Sequence, residues 1–326
     1  MPIIWKKSVT DGIRLDGRND VFKQLHTKQK QAIRFPEEIN IWLDLVDYKS
    51  LGDKEKNLFH ELVGYFVTSE LLVQNVLGEA FYPYIMSPTA KEAMTIQMFM
   101  EVIHSDFFEI VLNTFNMDRD KLYNTTLTNP ILKAKQEMVA KAADLISISH
   151  GWVDPDSLEG KKQILHAILL SSIVQEGIFF YSAFALFLWM RETGKMRNVC
   201  NGIDLVLIDE SLHLKMWIEL ILAILEENPE ITEDADFVQL IKNTIIEGTE
   251  LELQFIKQQF DAHMIFNITY DEMSEYLKYI SDRRLEELWF GPHYNITANP
   301  LQFLQKQDLM TLQNFFEVSP NQYTNF

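Results

Sequence analysis

From Ala167 to Met190 the chain reads AILLSSIVQEGIFFYSAFALFLWM, 24 residues with one charged side chain, Glu176. A helix that is apolar on every side has no face to offer water, so it suits the centre of a large bundle. The stretch is also long enough to span a bilayer. Against that reading, Ser171, Ser172, Gln175 and Glu176 interrupt it and no second comparable stretch exists, so a core helix and no membrane partner are expected. A lone carboxylate in so much hydrocarbon needs a partner, because burying an unpaired charge costs several kcal/mol.

Three other segments repeat the theme. Glu70 sits in YFVTSELLV, Glu101 and His104 in MFMEVIH, and Glu210 and His213 in VLIDESLH. Positions i and i+3 share one helix face, so each Glu-x-x-His can aim both side chains at one point. Of the eight histidines only His104 and His213 carry a glutamate three residues earlier; His26, His60, His150, His166, His263 and His293 read as surface or core residues. An isolated glutamate precedes each pair, by 31 residues for Glu70 and Glu101 and by 34 for Glu176 and Glu210. Each half thus reads as a helical hairpin. Four carboxylates and two imidazoles in apolar surroundings would satisfy one another around two metal ions, the arrangement of dinuclear carboxylate sites in bundle cores.

The remaining pattern is helical. Helices are expected over 53–80 with Asp53 as N-cap, from Ser87-Pro88 to about Phe115, near 129–147, from Asp156–Ser157 to Gly194, and over 196–227, 232–262 and 270–288, the last opened by a Thr269/Glu272 capping box. With 12 Gly and 10 Pro in 326 residues and little strand-like alternation, the fold class is all-α, one helical domain over 1–306 followed by a flexible tail over 307–326. A net charge of −18 argues against a nucleic-acid partner. The single cysteine, Cys200, excludes an intramolecular disulfide and fits a reducing cytosol, and MPIIWKKSVTDGIRLDGRND contains no apolar run of signal-peptide length; a cytoplasmic location is expected.

The runs LLVQN, MEVIHSDFF, QEGIFFYSAF, IDESLH, EENPEI, SDRRLEELWF, NPLQF and NFFE resemble the small, radical-generating subunit of class I ribonucleotide reductase over about residues 35 to 323. The resemblance implies a ferritin-like bundle and a homodimer. It implies that Glu70, Glu101 and His104 hold one metal and Glu176, Glu210 and His213 the other, with carboxylates bridging. It further implies a reaction with O2 that yields a stored one-electron oxidant, passed to a cysteine of a separate large subunit for deoxyribonucleotide synthesis. Asp209 matches the family's relay aspartate and Tyr323 its tail tyrosine; three residues follow Tyr323.

Two departures carry weight. Four residues after His104, where the family bears its radical tyrosine, stands Phe108, and the first ligand is glutamate where tyrosyl-radical members often have aspartate. Both features resemble the chlamydial-type subgroup, in which a manganese–iron cluster itself stores the oxidising equivalent; Fe/Fe and Mn/Mn are the alternatives. Arg34, in RFPEEI, stands where the family usually has its relay tryptophan, and is placed by the resemblance to pair with Asp209. That loss keeps open a stand-alone O2-activating dimetal oxidase on the same scaffold. Metal storage, which needs a closed multi-subunit shell, suits the chain less well.

Overall fold

The computed structural model describes residues 3–4, 21–146, 153–263, 265 and 267–304. Among these residues the architecture is helical throughout, and the one β contact is an isolated antiparallel bridge between Ile4 and Ile85. The helices are α1 (Val21–Ala32), α2 (Leu45–Ser50), α3 (Asp53–Val76), α4 (Pro88–Thr114), α5 (Arg119–Thr128), α6 (Pro130–Ile146), α7 (Leu158–Ile168), α8 (Phe180–Glu192), α9 (Arg197–Glu227), α10 (Glu230–Glu233), α11 (Ala235–Ala262) and α12 (Tyr270–Glu287). The expected domain boundary at 306/307, the tail and Tyr323 lie outside the described residues.

The apolar stretch is the core helix expected of it. It belongs to one continuous 35-residue helix, Leu158–Glu192, long and apolar enough to cross a membrane by length and composition, and 94% of its most apolar window is buried inside the bundle. It is not uniformly α-helical. Between α7 and α8 the residues Leu169–Phe179 form a π-helix, and all of them, Glu176 included, are buried. Helical periodicity in the sequence did not distinguish the two windings, because both bury every side of so apolar a segment. A second π turn, Leu77–Phe81, closes α3, so the helix expected over 53–80 is α-helical only to Val76.

Helix ends follow local chemistry. Ser87 Oγ accepts from the Ala90 N–H with Pro88 behind it, and Thr269 and Glu272 cap one another reciprocally, as their sequence signals require. The start of α3 differs from expectation: Gly52 is the N-cap and Asp53 the first helical residue, because Glu55 reaches back to the Gly52 N–H at 2.8 Å. The start of α9 is capped from a distance. Met196 before it is left-handed (φ 55°), and the buried Asp44 carboxylate accepts from the Asn198 and Val199 N–H groups at 3.1 and 2.8 Å. A carboxylate at a helix N-terminus also meets the positive end of the helix dipole, worth up to about 2 kcal/mol when partly buried.

Packing brings four segments around one axis: α3 lies against α4, α4 against α9, and α9 against the π segment. Gly202 permits the approach of α9 to α4, since a Cβ there would overlap the Phe107 ring. A buried ion pair lies elsewhere in the core. Lys135 on α6 and Glu252 on α11 are both fully buried, with Nζ 2.6 Å from Oε2, and Ser182 on α8 donates to the other Glu252 oxygen.

Candidate metal centre

Each of the four converging segments contributes one part of the site. Glu70 comes from α3, Glu101 and His104 from α4, Glu176 from the π segment, and Glu210 and His213 from α9. All six are buried, with relative exposure of 0 or 1%. Their ligand atoms fall into two overlapping groups, Glu70–Glu101–His104–Glu210 and Glu101–Glu176–Glu210–His213, in each of which the atoms lie within 4.8 Å of one another. Glu101 and Glu210 belong to both groups, which is the placement bridging carboxylates require. All six residues expected as ligands from the sequence are therefore brought together.

The two imidazoles point their Nδ1 atoms inward. His104 Nδ1 is 3.1 Å from Glu210 Oε1, 3.3 Å from Glu101 Oε2 and 3.6 Å from Glu70 Oε2; His213 Nδ1 is 3.1 Å from Glu101 Oε1 and 3.4 Å from Glu210 Oε2. These approaches are short but not aligned as hydrogen bonds. Both oxygens of Glu70 and of Glu210, Glu101 Oε2 and both Nδ1 atoms are buried without a hydrogen-bond partner. Buried polar atoms are otherwise almost always bonded. A convergent set of orphaned oxygen and nitrogen donors fits a pair of divalent cations: four carboxylates balance their charge, and two neutral imidazoles complete the set.

The electrostatics of the metal-free cluster point the same way. Burial holds the Glu70 and Glu176 carboxyls well above the ordinary carboxylate range, and neighbouring carboxylates add to it. Burial alone would lower His104 and His213, but the carboxylates around them hold both well above the ordinary imidazole value. Burial would raise Glu101 too, yet the two imidazoles outweigh it and hold that carboxyl low. So many like charges cannot ionise together in a buried site, and the protons they hold are ones that cations would displace.

Around this cluster, Asp209 Oδ2 lies 3.3 Å from His104 Nε2, which fixes the ring so that Nδ1 faces the cluster. Arg34 Nη1 donates to the Gln31 and Ile33 carbonyls at the end of α1, and the imidazole of His104 is the charge partner seen at Asp209. Trp42 is 61% exposed on a short 3-10 turn. Phe108 is fully buried among phenylalanines.

Two residues with a place at this site were not read from the sequence. Gln97 Nε2 lies 3.2 Å from Glu101 Oε1 and 3.1 Å from Glu176 Oε2, and the Trp217 indole N–H donates to Gln97 Oε1 at 3.0 Å. Their signal is helical spacing: Gln97 precedes Glu101 by one turn, and Trp217 follows His213 by one turn.

The comparisons with known proteins agree with this geometry. Residues 17–300 match the family described as ribonucleotide reductase, small chain. The chain is 29% identical over 298 residues to a ribonucleoside-diphosphate reductase subunit beta of Chlamydia pneumoniae, covering 88% of this chain and 83% of that protein. It is 26% identical over 304 residues to subunit M2 of the same reductase from Danio rerio, covering 92% and 72%. Among solved structures, a ribonucleotide reductase R2 subunit from Clostridium botulinum superposes with a TM-score of 0.84 at 21% identity, over 94% of each chain. A dimanganese(II)-NrdF of Streptococcus sanguinis superposes with a TM-score of 0.76 at 20% identity, over 93% of this chain and 99% of that one. The bundle is thus ferritin-like, of the kind these small subunits share.

Proposed function

The chain belongs to the ribonucleotide reductase small-chain family, and we propose that its buried cluster holds two metal ions and serves as the oxidant-generating centre of a ribonucleoside-diphosphate reductase. The observation that carries this reading is the pair of overlapping four-residue groups in the buried core, sharing Glu101 and Glu210. Glu70 and His104 would hold one ion, Glu176 and His213 the other, and Glu101 and Glu210 would bridge. When bound, the metal pair supplies reactivity toward O2 and a place to keep a one-electron oxidant. Manganese with iron is the favoured occupant on the strength of Glu70 and Phe108; a di-iron or dimanganese pair is the alternative, the latter being what the Streptococcus sanguinis neighbour carries.

The chain's own residues define what the centre can do. Apolar walls exclude water, so charge on the cluster is not screened. Asp209 orients the His104 imidazole and links it to the protein beyond, the position expected of the first relay residue. Phe108 offers no phenol to oxidise. Tyr323 completes the relay at the other end, toward a large catalytic subunit, and the working small subunit is a cytoplasmic homodimer.

The test is to load the chain with Mn(II) and Fe(II), expose it to air, and assay reduction of ribonucleoside diphosphates with the large subunit of the same organism. Activity is expected, together with two metals per chain. Glu176→Ala should retain one metal, and retention of both would show the ligand assignment to be wrong. Tyr323→Phe should abolish nucleotide reduction and leave uptake of metal and O2 unchanged. A stand-alone ligand oxidase is the second reading, favoured by an arginine bonded to the end of α1 where the family has an oxidisable tryptophan. Two metals and O2 consumption without nucleotide reduction by the unaltered chain would decide for it.

A further inference from the structure

Trp217 determines which way Gln97 points. An indole N–H can only donate, so the Gln97 atom 3.0 Å from Trp217 Nε1 is the amide oxygen. The amide nitrogen is thereby turned to the cluster. Its two N–H groups meet two carboxylates, Glu101 Oε1 at 3.2 Å and Glu176 at 3.3 Å from Oε1 and 3.1 Å from Oε2. Gln97, Trp217, Glu101 and Glu176 are all shielded from water, so no solvent competes for these bonds. The indole is itself held by the Phe81 ring, 5.2 Å away between centroids.

The arrangement is one-sided. Glu101 is shared by both groups of ligands, but Glu176 belongs only to the group that contains His213. Its counterpart in the other group, Glu70, has both oxygens without a hydrogen-bond partner. One terminal carboxylate is tethered and the other is not. An outer residue that hydrogen-bonds a ligand fixes its orientation before the metal arrives, and losing it weakens metal binding by about 10–100-fold.

We propose that Gln97, locked in orientation by Trp217, is a positioning residue that presents Glu176 and Glu101 to the His213-side metal and makes the two metal positions unequal. The proposal rests on the reading of the cluster as a dimetal site. It explains a buried glutamine and a buried tryptophan on the ligand-bearing faces of α4 and α9 that neither charge balance nor apolar packing requires. It also assigns the carboxylate freedom of the site to Glu70.

The experiment is an anaerobic titration of the whole chain with Mn(II), followed by the paramagnetic resonance signal of the unbound ion. The unaltered chain should bind two ions. Gln97→Leu should weaken one of them by about 10–100-fold and leave the other within about two-fold. Trp217→Phe keeps the ring and removes the N–H, so it should weaken the same ion, and it should add nothing in the Gln97→Leu background, since both changes break one chain of bonds. Equal weakening of both ions would reduce Gln97 to a structural role and overturn the proposal, as would unaltered affinities. Additive losses in the double variant would overturn the part assigned to Trp217. If Gln97→Leu fails to fold, Trp217→Phe alone decides by whether its loss is confined to one ion. Failure of the unaltered chain to bind Mn(II) would instead overturn the dimetal reading itself.

Discussion

Phe108 stacks face to face on Phe66, with ring centroids 4.9 Å apart and planes 7° from parallel. Phe107 meets Phe108 at 5.0 Å, and Phe66 in turn touches Phe180 and Phe184 at 4.9 and 5.0 Å. The position four residues beyond His104 is therefore walled by rings with no hydroxyl. Two buried tyrosines border this wall, and each has a cation over its face: Lys135 Nζ is 3.9 Å from the Tyr65 centroid, and the Arg284 guanidinium is 4.9 Å from that of Tyr181. A cation over a ring is attracted by its π electrons and opposes removal of one. Metal loading under air should accordingly give no tyrosyl radical in paramagnetic resonance spectra. A tyrosyl signal that vanishes in Tyr65→Phe or Tyr181→Phe would contradict this.

Metal-free protein should lose stability as pH rises. Burial alone would lower His104 and His213, but their carboxylate neighbours hold both well above 6.5, while burial holds Glu70 and Glu176 well above 4.5. Each of these groups binds its proton more tightly folded than unfolded. Their contribution is complete below the unfolded value and is lost as pH rises through the folded one, from about 4.5 upward for the carboxyls and about 6.5 upward for the imidazoles. Glu101, held low, acts in the opposite sense but only in acid. Between about pH 6 and about pH 9 the melting temperature of the metal-free chain should fall, while Mn(II) affinity rises because the ions displace these protons. A flat melting temperature and a pH-independent affinity would count against the assignment.

The contrast between what the sequence announces and what it conceals follows from where side chains find their partners. The six clustered residues were legible because each is a polar residue that an apolar helix cannot otherwise accommodate. The caps at Ser87 and Thr269 were legible because their bonds are local. Helix α1 was not, because VFKQLHTKQKQA is mostly polar and buries only Phe22, Leu25 and Gln29; contacts with α4 and α9 hold it in place. Helix α5 buries only Leu122 and Thr126 and was missed for the same reason. Lys135 was missed because its partner, Glu252, is 117 positions away in sequence, and no local pattern marks a lysine as buried.

Gly202→Ala separates helix propensity from packing. Alanine in a helix interior is favoured over glycine by roughly 0.5–1 kcal/mol, which alone would make the variant more stable. Yet the new Cβ would overlap the buried Phe107 ring, and overpacking of this kind typically costs about 1–3 kcal/mol. The packing effect should win. A net loss of stability in denaturant unfolding is expected, with weaker Mn(II) binding, because the displaced contact lies between the two helices that carry Glu101, His104, Glu210 and His213. A variant as stable as the parent or more so would show that α4 and α9 have room to adjust.

Lys135 and Glu252 provide a test of a buried ion pair. Burial lowers the lysine's pKa and raises the glutamate's, so each charge is a cost offset by the other, by the aromatic rings of Tyr65, Phe179 and Phe255 around Nζ, and by the Ser182 hydroxyl. Removing one partner strands the other, which typically costs about 3–5 kcal/mol, whereas replacing both with apolar residues of similar size is often neutral. Lys135→Met and Glu252→Leu should each lower stability by about that amount, and the double variant should lose much less than the sum, a coupling that a double-mutant cycle measures directly. Because Lys135 is on α6, Glu252 on α11 and Ser182 on α8, all outside the carboxylate–imidazole cluster, the single losses should appear equally in metal-free and metal-loaded protein. Additive single losses in the double variant would mean that the two charges are screened from one another, and that the core at this point is wetter than its burial indicates.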